Sequence, residues 1–214
     1  MSASNQQETR RRNLFFAVGL LTLVGAILFV RHRLRSDAAD GTNASDTATH
    51  RTNLVLQAGK WLIPGSNLFS GVLFDTYDSG ATKSRSVVSN GLLEGLSQGW
   101  HTNGQQQIEE HFVAGTSHGL RTKWHANGQK LSEVTIVNGK LGGTFRSWHE
   151  NGERAEEIEL NDGQPDGPSK AWYPSGYLKS QVTMSKGAVV TQQFWKDGEQ
   201  RDPSRPEASQ LSSK

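Results

Sequence analysis

The sequence predicts an all-β repeat fold: an elongated single-layer meander of stacked antiparallel β-hairpins, preceded by one N-terminal transmembrane helix. Two observations predict the sheet and a third predicts the helix. Aromatic-led motifs of the form Trp-His-x-Asn-Gly recur every 24 residues. Two further glycine ladders run at the same period, Gly91, Gly115, Gly139, Gly163, Gly187 and Gly71, Gly95, Gly119, Gly143, Gly167. The third observation is an apolar run from Leu14 to Val30, seventeen residues without a charge.

A fixed period in the range of about 20–50 residues signals an array in which each unit buries its apolar face only against its neighbours. The motif glycines are Gly80, Gly104, Gly128, Gly152 and Gly176, and a shortened sixth copy ends at Gly198. Tyr77, Trp100, Trp124, Trp148, Trp172 and Trp195 lead the six copies. Asn-Gly between two short runs is a hairpin signal, because a type I′ turn needs positive φ at both central residues. Asn103-Gly104, Asn127-Gly128 and Asn151-Gly152 supply that pair, which predicts type I′ turns there. The second glycine ladder punctuates the return of the chain. A helical reading fails because glycine interrupts the chain every dozen residues.

Apolar columns identify the core side. Val88, Phe112, Ile136, Leu160 and Met184 form one, and Val134, Ile158 and Val182 form another two residues earlier. Positions two apart on a strand share a face. The Trp column adds bulk from the first strand of each hairpin, as core rather than as a ligand cage, each ring burying about 150–250 Å² when packed.

The pattern Gly-x-x-x-x-Trp-[His/Tyr]-x-Asn-Gly, followed by an acidic-apolar strand and a closing Asn-Gly-x-x-x-Gly, resembles the MORN repeat, in the variant form of the YwqK-like proteins often labelled antitoxins. The resemblance spans about residues 66–200. It implies stacked antiparallel hairpins used for binding, and no catalytic residues. The chain departs from the pattern at its end, where Thr191 replaces the closing glycine, as suits an atypical terminal repeat.

The organisation that follows is a basic tail at 1–13, a transmembrane anchor at 14–30, a flexible linker at 31–52, an N-terminal cap at 53–65 covering the open edge, six repeats at 66–202 and a disordered tail at 203–214. A span needs about 20 apolar residues, with a lower limit near 17. Arginines flank the run on both sides, at 10, 11, 12 and 31, 33, 35. They separate it from the small residues Ser36-Asp37-Ala38, which disfavours a cleaved signal peptide. The short basic N-terminal tail places the repeats on the extracytoplasmic side.

Charge bounds the partners. Residues 66–202 carry 13 Lys and Arg against 16 Asp and Glu, net −3. Nucleic-acid binding requires a basic stripe on the folded domain, and none is present. The same balance disfavours lipid contact by the repeats. The absence of cysteine removes disulfides and thiolate metal sites.

Candidate chemistry is sparse. His101, His125 and His149 each follow a repeat Trp, and Tyr173 continues the row. Equivalent residues of successive hairpins lie about 9.5 Å apart, too far for two to share a metal at ~2.0–2.1 Å. The row is therefore read as the most regular exposed feature and the candidate partner-binding face. Glu153, Glu156, Glu157 and Glu159 are read as a solvated strand face. No phosphate loop, nucleophile elbow or His-Glu-x-x-His pair occurs. The expectation is a non-enzymatic, membrane-anchored protein-binding or scaffolding module without cofactor or metal. Its alternatives are a toxin-neutralising antitoxin or immunity protein and a lipid-contacting scaffold.

Overall fold

The computed structural model describes residues 48–65 and 67–204. The anchor read at 14–30, the N-terminal tail and residues 205–214 lie outside them. Among the described residues no helix is long and apolar enough to cross a membrane, and the only helical element is a 3₁₀ turn at Arg51–Asn53.

The described residues form fifteen strands, and those from Gly71 onward follow the repeat clock. In chain order they are β1 (Ala48–His50), β2 (Val55–Gln57), β3 (Lys60–Leu62), β4 (Gly71–Thr76), β5 (Thr82–Ser89), β6 (Leu92–Trp100), β7 (Gln106–Val113), β8 (Thr116–Ser117), β9 (Gly119–Trp124), β10 (Lys130–Val137), β11 (Lys140–Trp148), β12 (Arg154–Asn161), β13 (Gln164–Trp172), β14 (Leu178–Ser185) and β15 (Ala188–Phe194). From β4 onward each strand pairs antiparallel with its successor in one sheet, with β8 a short spur on β7. The predicted meander of hairpins is the observed topology. Each repeat contributes a first strand (β4, β6, β9, β11, β13, β15), and all but the last add a second (β5, β7, β10, β12, β14).

The turns are assigned the other way round from the sequence expectation. The two-residue type I′ turns are the second glycine ladder, where both residues have positive φ: Asn90-Gly91, Ala114-Gly115, Asn138-Gly139, Asp162-Gly163 and Lys186-Gly187. At the motif turns only the glycine is left-handed, as at Gly128 (φ 84°), while Asn127 is not. There Gly128 N–H donates to the His125 carbonyl at 2.9 Å, which is a type I turn closed by a left-handed glycine, the usual three-residue hairpin loop.

The third glycine ladder bends the first strands. Opposite the step from Glu133 to Thr135, β11 runs from Arg146 to Gly142, two residues more than its partner, and Gly143 within that excess sits at φ 68°. Such bulges curl the sheet towards one face. This explains how a single layer buries side chains. Val88, Val134, Ile136, Ile158, Leu160, Val182 and Met184 are buried, Ile136 and Val182 to 1% exposure, and Phe112 is half-buried.

The Trp column does not share that face. Ala171 lies opposite Glu156 and Ser180, on the side of Ile158 and Val182, so its neighbour Trp172 points the other way. Trp172 is buried, whereas Trp100, Trp124, Trp148 and Trp195 are half-buried. The expectation of one common core is corrected. Side-chain parity cannot be counted across strands that carry bulges.

The N-terminal cap also differs. The open edge at β4 is covered by β1, which pairs parallel with it (Ala48 opposite Val72), so the final residues of the span read as linker are a strand. The residues read as cap form the separate hairpin β2–β3, with Leu54 packed into a cluster with Phe69, Leu73 and Val88, and Trp61 and Leu93 beside it.

Candidate functional site

The His row is an inter-repeat tie before it is a surface. His101 Nε2 donates to the Trp124 carbonyl at 2.9 Å, His125 Nε2 to Trp148 at 2.8 Å and His149 Nε2 to Trp172 at 3.0 Å. A carbonyl only accepts, so each bond fixes the proton on Nε2. Tyr77 and Tyr173 do the same with their hydroxyls, to Trp100 at 2.6 Å and Trp195 at 3.1 Å. All five rings are half-buried, not the exposed row expected from the sequence. Tyr77 thus belongs to the His column rather than leading the Trp column. Thr76 takes the Trp place, pairing with Thr82 as Trp100 pairs with Gln106.

The motif asparagines form a second rung. Asn127 Nδ2 donates to the Glu150 carbonyl at 2.7 Å, and its Oδ1 accepts from Gln129 N–H at 2.9 Å. Asn103 and Asn151 repeat both bonds. At the opposite end of the strands, the glycine N–H of each type I′ turn donates to a carbonyl one repeat back, as Gly139 does to Ser117 at 2.9 Å. Each repeat is fastened to its neighbour at both ends.

The Trp face carries a charge ladder that the sequence reading missed. Glu109, Glu133 and Glu157 recur at the repeat period. Glu109 accepts from Gln98 and Gln106, Glu133 from Lys130 at 2.7 Å, and Glu157 from Arg146 at 3.0 Å and Arg154 at 2.5 Å. Lys130 Nζ also sits 5.2 Å from the Trp148 ring and the Arg154 guanidinium 5.9 Å from Trp172, as cation–π partners. Columns of Glu preceded three residues earlier by Gln, Lys and Arg were the available signal.

The acidic run divides by strand parity. Glu157 and Glu159 lie on the Trp face, bonded to Arg146, Arg154 and Thr144, while Glu156 lies on the apolar face. Burial raises the Glu156 pKa above the ordinary carboxylate value, although Lys179, His149 and a bond from Ser147 oppose the shift. Among the described residues no group of three His, Asp or Glu is placed to hold a metal ion.

After β15 the chain folds back over the Trp face. Asp202 accepts from Trp172 Nε1 at 3.1 Å, Lys170 Nζ at 3.2 Å and Ser204 N–H at 3.0 Å. Burial would raise its pKa, but the Ser204 bonds and Lys170 outweigh it and hold the carboxyl below its ordinary value. Large exposed apolar residues remain in two places on the sheet: Val113, Leu120 and Val137 in the second and third repeats, and Val189 and Val190 on β15.

These hairpins, their 24-residue period and their double rungs define a β-repeat array. A family model described as MORN repeat variant matches residues 117–138, spanning β9, β10 and the loop between them. Residues 117–138 are thus similar to a MORN repeat variant, and the complete units on either side repeat the strand pairing of the matched one. No curated protein matches the chain. A MORN repeat array points to a protein-binding or scaffold module.

Proposed function

We propose that the chain is a non-enzymatic protein-binding module, anchored by residues 14–30 and displaying its repeat sheet on the extracytoplasmic side. The observation that carries this reading is the use of the polar side chains. His, Tyr and Asn columns that would be the natural source of reactive groups are engaged in bonds between repeats, and the Glu column is engaged in bonds within each repeat. Among its exposed polar side chains the sheet also offers the strand edge at β15 and the exposed apolar residues Val113, Leu120, Val137, Val189 and Val190, which suit recognition of another polypeptide. The acidic balance of the repeats favours a protein over an anionic lipid surface or nucleic acid.

Membrane fractionation combined with chemical cross-linking tests both halves. The full chain stays with membranes through an alkaline carbonate wash, and the chain lacking residues 14–30 does not. Both forms give a discrete polypeptide adduct through the repeat sheet. A soluble product beginning near Ala39 would replace the anchor with a cleaved signal, and absence of any polypeptide adduct would overturn the binding role.

A further inference from the structure

We infer that the outer edge of β15 is an unfilled half-repeat, which accepts an extended segment of a partner polypeptide running antiparallel to it. This rests on the protein-binding reading above and names where and how the partner is held. In the five preceding repeats, the first strand is followed by a short loop and a second strand that pairs on it. The sixth has the first strand and the loop Trp195–Gly198, but no mate follows among the described residues. The Gln200 carbonyl instead accepts from Leu178 N–H at 2.8 Å, and Asp202 is drawn onto Lys170 and Trp172. The chain turns back over β13 and β14, and among the described residues no strand pairs on the far side of β15 along Ala188–Gln193.

The edge itself lacks the charge, proline and shortness that blunt exposed strands, and keeps a single one-residue bulge. Ala-Val-Val-Thr-Gln-Gln-Phe has neither charge nor proline over seven residues, and Val190 is 62% exposed. Thr191 stands where the other first strands have the bending glycine, and it does not adopt positive φ. Consequently β15 has one extra residue opposite the step from Thr183 to Met184, where β13 has two opposite Ile158 to Leu160. It stays straighter and better suited to pairing. The opposite end of the sheet is closed by β1.

The vacant position selects its occupant. The native mates are second strands such as β10, Lys-Leu-Ser-Glu-Val-Thr-Ile-Val, with apolar residues at alternate positions facing the curled side. A second copy has no such strand to give, because β5, β7, β10, β12 and β14 are paired on both sides. Pairing β15 with β15 about Thr191 would set Lys186 against Lys196. Residues 205–214 contain Pro206 and a single large apolar residue, Leu211, so they lack the pattern. The remaining occupant is a partner segment of about seven to eight residues, β-branched or apolar at alternate positions and uncharged where it meets β15.

The test uses the full chain in detergent and a fluorescent peptide with the sequence of Lys130–Val137, read by anisotropy. The peptide binds saturably, and a scrambled peptide of the same composition does not. Val190→Lys, or Gln192→Lys at a second exposed site on the strand, weakens binding at least tenfold while thermal unfolding is unchanged. Lack of saturable binding, or equal binding by both variants, overturns the inference. So does a concentration-dependent dimer abolished by Val190→Lys, which assigns the edge to a second copy. Binding that appears only after removal of residues 205–214 also overturns it, by assigning the edge to the chain's own tail. If cross-linked partner persists on the Val190→Lys protein, the inference about β15 fails while the protein-binding reading stands.

Discussion

Replacing Asn127 and Asn138 separately by glycine separates the two kinds of turn, and the structure orders the outcome. Both are followed by glycine, and from sequence alone both are type I′ candidates. At Asn138 the backbone is left-handed, φ 50°, and the side chain takes no part in the inter-repeat rung. Glycine adopts that conformation without penalty, so Asn138→Gly changes stability by no more than about 0.5 kcal/mol. At Asn127 the side chain makes two bonds, to the Glu150 carbonyl at 2.7 Å and from Gln129 N–H at 2.9 Å. A neutral hydrogen bond contributes about 0.5–1.5 kcal/mol net, so losing both costs about 1–3 kcal/mol. For a domain of this size that lowers Tm by roughly 2–4 °C per kcal/mol. Thermal unfolding of residues 48–214, followed by circular dichroism, reads the difference. Equal effects, or a larger loss at Asn138, would refute both the turn assignment and the asparagine rung.

Other perturbations probe the face, the charges and the loop glycine. Ile136→Asp buries a carboxylate at a site 1% exposed, between Gly119 and Leu141, and should cost several kcal/mol; unchanged chemical denaturation would mean the wrong face is inside. Gly128→Val places a β-branched side chain at φ 84° and should cost about 1–3 kcal/mol, while Gly128→Asn is milder; denaturant midpoints compare them. Glu156→Gln should stabilise the fold at pH 7. The raised folded pKa makes the charged form the destabilised one, so the wild-type penalty is relieved as pH falls through that pKa towards about 4.3. The gap between the two proteins should then close, and a gap independent of pH would contradict the burial argument. Asp202 has the opposite sign: its contribution is full above the ordinary value of about 3.9 and is lost as pH falls through the lower folded pKa. Asp202→Ala should expose Trp172 and shift its fluorescence to the red; an unchanged spectrum would show that the strap does not cover the ring.

The period, the strand count in each repeat and the apolar columns were legible because they are local and repeated. Errors arose where several local solutions share one sequence signal. Asn-Gly marks both Asn127-Gly128 and Asn138-Gly139, and only strand register distinguishes a three-residue loop from a type I′ turn. Trp172 and Ile158 were placed on one side because bulges hide strand parity. The role of His125 depends on a carbonyl 23 residues on, a contact created by stacking rather than by its neighbours in sequence. The pairing of β1 on β4 is parallel, brought about by the chain's return through β2 and β3, and no local motif announces it. Thr191 was visible as a departure from the pattern, but its consequence for the edge required the register of β15.

A photo-reactive residue walked along the sheet in native membranes tests the binding role most directly. Placed at Val190, at Val137 and at the shielded control Ile136, it reads which surface meets another polypeptide. The account predicts one discrete polypeptide adduct, strongest at Val190 and absent at Ile136. Adducts to lipid alone, or none at any exposed position, would contradict a protein-binding function for this repeat sheet.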